Sequence, residues 1–410
     1  MSKKRVSVMC LLVSLLFLSG SCTSSQHSPE DPAGGASAFP GVYCPDVSGL
    51  HFYFTGDSFL DKAEELIRDA RQYILIDSFL VLDDERGKEV IDLLKAKMEE
   101  NVGVYVITDS SSAYVQARSA VPYLIEQGIP VTEYNPIRGS RAARLPLFLY
   151  RDHRKFWLID GKTVILGGQN IACHSLNSPE EFGHTDSMVE FRSTVAFRTL
   201  LRCYIREWNA YSMDKLRQQD FPVQTQPRGG TPLWLILQDC FQDPVIGEVF
   251  YRLMDKAEKE VWLVQSYTLP NREMLTRIRE LSAKGISVNI LYSSYNAYER
   301  FHYGPCYRMI DLIEAGANLW EYENPTSHLH YKAMIVDESW FTIGSANLNF
   351  RSCYLSKELN ILFKGKKMGG AVLDHLETMK AHSRRITEKQ ALEYRGAKYL
   401  LYYLLLYLGG

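Results

Sequence analysis

Apolar positions along this chain follow two alternating periods, and the same order of elements appears twice. In the first half, Phe59, Leu60, Ala63, Leu66, Ile67 and Ala70 have helical spacing, and an apolar strand follows at 73–79. Val90, Ile91, Leu94 and Met98 then mark a second helix, ahead of a strand at 103–108. The second half repeats this order: a helix at 246–257, a strand at 261–267, a helix carrying Met274, Ile278 and Leu281, and a strand at 286–292. Strands alternating with helices predict an α/β fold in which each half is a mixed, largely parallel sheet flanked by helices. Thr132-Glu133-Tyr134-Asn135-Pro136 and Glu321-Tyr322-Glu323-Asn324-Pro325 echo each other at matching places, which points to an internal duplication.

The segments outside the repeat read differently. Lys3, Lys4 and Arg5 precede an apolar run at 6–18, then Ser19, Gly20, Ser21 and Cys22. That run suits an export signal and is short for a membrane span. It resembles a bacterial lipoprotein signal with Cys22 as the lipidation site, although Ser19 stands where such signals usually place Leu. Lipid anchoring and plain secretion to the periplasm or beyond are therefore both expected outcomes of export. The expected organisation is a signal at 1–22, a Ser/Pro/Gly-rich linker at 23–45, lobes at 46–220 and 221–395, and an apolar C-terminal tail at 396–410.

Composition narrows the function classes only a little. A formal net charge of −2 gives no overall attraction for nucleic acid, so a nucleic-acid partner is disfavoured. Outside the signal, Cys44, Cys173, Cys203, Cys240, Cys306 and Cys353 are scattered singly, which predicts buried thiols rather than a zinc site.

The chemistry lies in two matching strings, His153-Arg154-Lys155-Phe156-Trp157-Leu158-Ile159-Asp160 and His330-Tyr331-Lys332-Ala333-Met334-Ile335-Val336-Asp337. Each runs on to small residues and an Asn: Gly167-Gly168-Gln169-Asn170 and Gly344-Ser345-Ala346-Asn347. On a strand, His153 and Lys155 share a face, as do His330 and Lys332. Asp160 and Asp337 fall at strand ends and predict turn or bracing residues. Splitting a phosphodiester needs cations to neutralise its oxygens, a nucleophile, and an acid for the leaving alcohol. Lys155, Lys332, Asn170, Asn347 and Ser345 fit the first need, and the two imidazoles fit the others. The scheme requires no metal or other cofactor.

These paired strings with their Gly/Ser-Asn tails resemble the phospholipase D superfamily, most closely its bacterial cardiolipin synthase-like members, over most of residues 50–365. The resemblance implies two similar lobes, each lending one motif to a single shared active site, with a nucleophile/acid pair at His153 and His330. It favours His153 as the nucleophile. It also implies a carboxylate downstream of each motif that orients its His, and Asp186 and Glu358 occupy those places. Gly168 standing opposite Ser345 removes one hydroxyl and predicts an asymmetric site.

Three readings of function follow. The first is a phospholipase D or phosphatidyltransferase on glycerophospholipids, working at a membrane surface. The second is an exported metal-independent nuclease, and the third a non-enzymatic surface protein of the same fold. Arg138, Arg141 and Arg144 suit an acidic head group or a solvated loop. The aromatic run Tyr292, Tyr295, Tyr298, Phe301, Tyr303 and Tyr307 suits a lipid entrance, base stacking or packing. The apolar stretch 399–408 either packs as a last helix or lies in a membrane surface. Nothing in the sequence demands an obligate protein partner.

Overall fold

The structure, a computed structural model, describes residues 39–112, 118–136, 150–227, 230–240, 244–296, 298–324 and 326–409, with side chains through Leu406. The signal segment with Cys22, most of the expected linker, and Arg138, Arg141 and Arg144 lie outside the described residues. The described residues form one compact unit.

Seven strands make the first sheet: β2 (Ser48–Thr55), β3 (Tyr73–Ser78), β4 (Gly103–Asp109), β5 (Val131–Tyr134), β6 (Lys155–Ile159), β7 (Thr163–Gly167) and β8 (Thr185–Arg192), in the order β2-β8-β7-β6-β3-β4-β5. Nine make the second: β1 (Val42–Cys44), β9 (Leu233–Gln238), β10 (Glu260–Gln265), β11 (Ser287–Ser293), β12 (Ala317–Tyr322), β13 (Ala333–Val336), β14 (Trp340–Gly344), β15 (Glu358–Lys364) and β16 (Ser383–Arg385). Their order, β1-β9-β15-β14-β13-β10-β11-β12-β16, contains the first sheet's order strand for strand, with one strand added at each edge. The duplication read from the helix and strand periods is thus a duplication of topology.

The sheets are mixed, but parallel pairing is confined to β3-β4-β5 and β10-β11-β12, where helices make the crossovers. All other pairs are antiparallel, because each motif strand returns as a hairpin, β6 into β7 and β13 into β14. The expectation of largely parallel sheets is corrected accordingly.

Helices form where caps and apolar stripes coincide. Asp84 accepts from Gly87 N at the start of helix Glu85–Glu99, Ser193 from Ala196 N before Thr194–Tyr211, and Asn271 from Met274 N before Arg272–Ala283. The strands alternate between two cores. Phe156 and Leu158 of β6, with Ala333 and Ile335 of β13, point into a central core shared by both sheets. Trp157 and Ile159 point instead to the outer helical layer of the first lobe, and Met334 and Val336 to that of the second. The two sheets therefore face each other between layers of helix, and the lobes are joined by apolar packing.

One boundary moves. Within the expected 23–45 linker, Phe39 is fully buried and β1 pairs with β9, so the tail of that stretch is an edge of the second sheet. The C-terminal stretch is a helix, Ala397–Gly409, packed against helix Glu299–Cys306. The six cysteines among the described residues are free thiols, four of them buried.

Asp160 and Asp337 adopt the same unusual backbone, each with φ of 51° in the turn after its motif strand. Each carboxylate accepts three successive backbone N–H groups at the start of the neighbouring antiparallel strand, β3 or β10, and in the turn before it: Arg71, Gln72 and Tyr73 for Asp160, and Glu258, Lys259 and Glu260 for Asp337. This fixes the register of the motif hairpin against the strand beside it. Asp160→Ala is expected to destabilise the chain by about 3 kcal/mol in urea unfolding, since it orphans N–H groups and puts Ala at a left-handed position. Asp160→Asn should cost roughly half as much, and a change within error for both would remove the bracing role.

Candidate active site

The motif histidines lie two and three residues before β6 and β13, at the lobe interface. Two isolated parallel bridges join the lobes there, Asp152 with Lys357 and Thr185 with Leu329. His153 N donates to Lys357 O (3.0 Å) and Lys357 N to Arg151 O (2.9 Å). On the other side, His330 N donates to Thr185 O (2.8 Å) and Thr185 N to His328 O (3.0 Å). The residue ahead of each carboxylate is thereby paired to the chain of the opposite lobe's motif.

The consequence is a crossed arrangement. His153 Nδ1 lies 3.2 and 3.1 Å from the two oxygens of Glu358, and His330 Nδ1 lies 2.5 Å from Asp186 Oδ2. Both carboxylates are fully buried. The expectation that each orients the His of its own motif is corrected, because the bridges set each carboxylate beside the other lobe's imidazole. A carboxylate on Nδ1 selects the tautomer that carries its proton there and leaves Nε2 free for chemistry.

The lysines complete the same surface. Lys155 Nζ donates to His153 O (2.6 Å) and sits 5.0 Å over the Phe79 ring, whose edge meets His153. Lys332 Nζ lies 3.6 Å from Asp186, so this contact also crosses the interface. Burial pulls Lys155 down to about 7 and Lys332 to about 8, despite the carboxylates nearby. Burial and then Lys155 lower His153; burial and then Lys332 hold His330 well below the ordinary imidazole range. Burial raises Asp186. Burial acts the same way on Glu358, but His153, Lys155 and Ser345 together outweigh it and leave that carboxyl lowered. The site is poor in water and rich in charge.

Asn170 Oδ1 accepts from Leu80 N (3.2 Å), which turns its amide NH2 away from that contact, and Asn347 Oδ1 is buried without a partner. Ser345 departs from expectation. Its hydroxyl donates to Glu358 Oε2 (2.5 Å) and accepts from Leu359 N (3.0 Å), so it steadies a carboxylate instead of facing a phosphate. At the matching position a Cβ on Gly168 would lie 2.3 Å from Asp186 Oδ1. The missing hydroxyl is a steric requirement of the Asp186 half. Among the described residues no group of three or more His, Cys, Asp or Glu is arranged to hold a metal ion.

Several polar residues around the site carry no signal in the motif strings. Arg151 grips Asp109 (Nε–Oδ1 2.8 Å), and Asp109 Oδ2 accepts from Asp152 N (2.9 Å). Arg154 pairs with Asp152 (2.5 Å) and Asp77 (3.4 Å). Lys357 Nζ reaches Glu207 of helix Thr194–Tyr211 at 2.6 Å, a buried ion pair between lobes next to Glu358. The His330 side of the site instead gathers imidazoles from both lobes: the His184 ring lies 5.0 Å from those of His328 and His330 and 4.9 Å from that of His174. The motif neighbours Arg154 and Asp152 were legible as charges, but their burial was not.

Lys357→Met is expected to cost about 2 kcal/mol, because the buried Glu207 keeps only Arg206 (2.8 Å) as an ion-pair partner, and Lys357→Met with Glu207→Leu should recover part of the loss. Acid should also unfold the chain. Burial lowers His174, His328 and His375 to about 4, so the unfolded chain takes up these protons first. Their contribution is complete above about pH 6.5 and lost as pH falls towards 4. The expected result is a melting temperature that drops steeply through that window; a flat profile would contradict it.

Residues 64–195 and 250–380 match the family described as "Cardiolipin synthase, PLD-like domain". A probable cardiolipin synthase of Bacillus subtilis is 22% identical over 343 residues, spanning 83% of this chain and 67% of that protein. Cardiolipin synthase of Halalkalibacterium halodurans is 26% identical over 339 residues, 80% of this chain and 65% of that protein. The chain thus spans about two thirds of the length of these relatives. Among solved structures, phosphatidylserine synthase of Haemophilus influenzae superposes with a TM-score of 0.69 at 15% identity, over 88% of this chain and 95% of that one. A polyphosphate kinase of Porphyromonas gingivalis gives 0.55 at 14% identity, over 83% and 49%. Both likenesses are of fold. With one match in each lobe, at the segments that carry the paired motifs, the chain belongs to the cardiolipin synthase family of phospholipase D-like proteins.

Proposed function

We propose that this protein is a phosphatidyltransferase or phospholipase D-type hydrolase of glycerophospholipids, working through a covalent phosphohistidine. The observation that carries the reading is the crossed pair: two imidazoles at one interface, each with its Nδ1 on a buried carboxylate of the other lobe. The names of the relatives, cardiolipin synthases, favour a phospholipid over other phosphodiesters.

In this scheme the Nε2 lone pair of one neutral imidazole attacks phosphorus. The bond to the leaving alcohol oxygen breaks, and that oxygen takes the proton of the other, protonated imidazole. Lys155 and Lys332, with the amides of Asn170 and Asn347, hold the non-bridging oxygens as charge builds. The second imidazole, now neutral, takes the proton of an incoming alcohol or water, whose oxygen attacks phosphorus and breaks the P–N bond. An alcohol acceptor makes the enzyme a transferase and water makes it a hydrolase. We further place it outside the cytoplasm, held at the membrane through Cys22 or released by cleavage, on the strength of the basic, apolar and small-residue order of residues 1–22.

The test is purified protein with EDTA, assayed on labelled phosphatidylglycerol and on DNA. Phospholipid turnover is expected, with His153→Ala and His330→Ala each lowering it at least about a thousandfold. DNA cleavage without phospholipid turnover would give the nuclease reading instead, and unchanged turnover in both variants would end the phosphohistidine scheme.

The pH profile has a definite sign. Lys155 and Lys332 act as cations, and free-site values of about 7 and 8 mean that this form is lost as pH rises through that range. kcat/KM should therefore peak below about pH 7 and fall on the alkaline side. A bound phosphate anion raises both lysines, so the alkaline limb of kcat should lie at higher pH. A kcat/KM profile flat to pH 9 would contradict the lysine assignment.

A further inference from the structure

The C-terminal helix Ala397–Gly409 has two unlike faces. Tyr399, Tyr402, Tyr403 and Leu406 form the inner one, packed on helix Glu299–Cys306. Tyr303 meets Tyr399 and Tyr402 at ring distances of 5.7 and 5.4 Å, and Tyr307 stacks on Tyr403 at 5.5 Å. Gly304 permits the close approach, since a Cβ there would lie 3.0 Å from Leu406 and 3.1 Å from Tyr402 O. The outer face is a leucine ridge: Leu400 is 37% exposed, Leu401 58%, Leu404 47% and Leu405 51%, with Leu392 of the preceding helix at 52%. No Asp, Glu, Lys or Arg occurs from Tyr399 to Leu408.

Such a ridge in water is unfavourable, and its length limits what can cover it. A helix of 13 residues is about 20 Å long, short of the roughly 30 Å hydrocarbon core of a bilayer. Among the described residues no helix is long and apolar enough to cross a membrane. Leucines on one side with tyrosines behind them are the composition of an element that lies in the lipid interface.

The underlying helix also leads to the site. Phe301 packs on Tyr267 at 5.2 Å, and the Tyr267 hydroxyl accepts from Asn349, two residues beyond Asn347. The loop before that helix supplies Tyr295 O to His328 Nδ1 at 2.5 Å, while the side chains of Tyr295 and Tyr298 are 56% and 39% exposed.

We infer that the leucine ridge of Leu400, Leu401, Leu404 and Leu405 lays this protein on a phospholipid bilayer, with the aromatic residues Tyr295, Tyr298 and Phe301 between the lipid and the site. The choice of a bilayer as occupant rests on the phospholipid reading of that site. The ridge buries its leucines among acyl chains, and the loop brings head groups towards the imidazoles without the lipid leaving the surface.

The test uses the full chain, vesicles of phosphatidylethanolamine and phosphatidylglycerol, and two variants outside the catalytic machinery. In Leu405→Trp, the added indole (the difference from wild type) is expected to shift to the blue on vesicle addition and to be quenched by brominated acyl chains. In Leu401→Glu/Leu405→Glu, turnover of vesicle lipid should fall at least tenfold, while turnover of a short-chain phospholipid below its micelle concentration stays within twofold. An indole that neither shifts nor is quenched overturns the inference, as does equal turnover of vesicles by wild type and the double variant. Dimerisation of the wild type that the two glutamates abolish, without quenching, assigns the ridge to a second copy and overturns it as well. If wild type turns over neither form of lipid, the catalytic reading fails, while quenching alone still decides whether the ridge meets a bilayer.

Discussion

Where Asp152 pairs with Lys357 and Thr185 with Leu329, the backbone of one lobe hydrogen-bonds the backbone of the other, and the polar groups of the site take their places from those two bridges. Each bridge ends one residue before a carboxylate or a motif histidine. Side-chain position is then set by strand geometry, with little freedom left. The apolar core between the sheets presses the lobes together but is non-directional. The bridges supply the direction, and the buried Lys357–Glu207 pair locks one of them from the side.

The crossed geometry gives a reason for the duplication. A carboxylate and a histidine on one short hairpin can be paired within a single lobe, and such a lobe is complete by itself. Here each half lacks a group the other supplies, so the imidazoles gain their orienting carboxylates only when the lobes dock. The same docking brings Lys155 and Lys332 out of water, which weakens their hold on protons and readies them for an anion that restores it. The two halves are not equal. Arg151 and Asp109 occupy the places that His328 and Ser293 occupy in the repeat, so one histidine stands beside an ion pair and the other among neutral rings. Gly168 and Ser345 differ for a related reason: one carboxylate needs the space, the other receives a hydroxyl.

Much of this was legible in the chain. The helical and strand periods locate the core elements of both lobes, and the spacing from His to Asp places each motif on a strand with its turn. The limits have physical causes. Asp186 and Glu358 stand in matching places, but which imidazole each reaches depends on how two lobes dock, and no local spacing encodes that. The hydroxyl of Ser345 looks free in a string and is bound in three dimensions. Val42–Cys44 sits in a polar stretch too short to show a period, yet it completes a sheet edge. The helix–strand alternation reports only the crossovers of β3-β4-β5 and β10-β11-β12, whereas the strands on the other side of each sheet pair antiparallel and outnumber them.

The crossed pairing is the claim on which the rest stands, and imidazole 15N chemical shifts test it most directly. In the wild type both motif histidines should carry the proton on Nδ1. Glu358→Gln should move the tautomer and titration of His153 while leaving His330 nearly unchanged, and Asp186→Asn should do the reverse. If instead each substitution disturbs the histidine of its own lobe, the shared site described here is wrong.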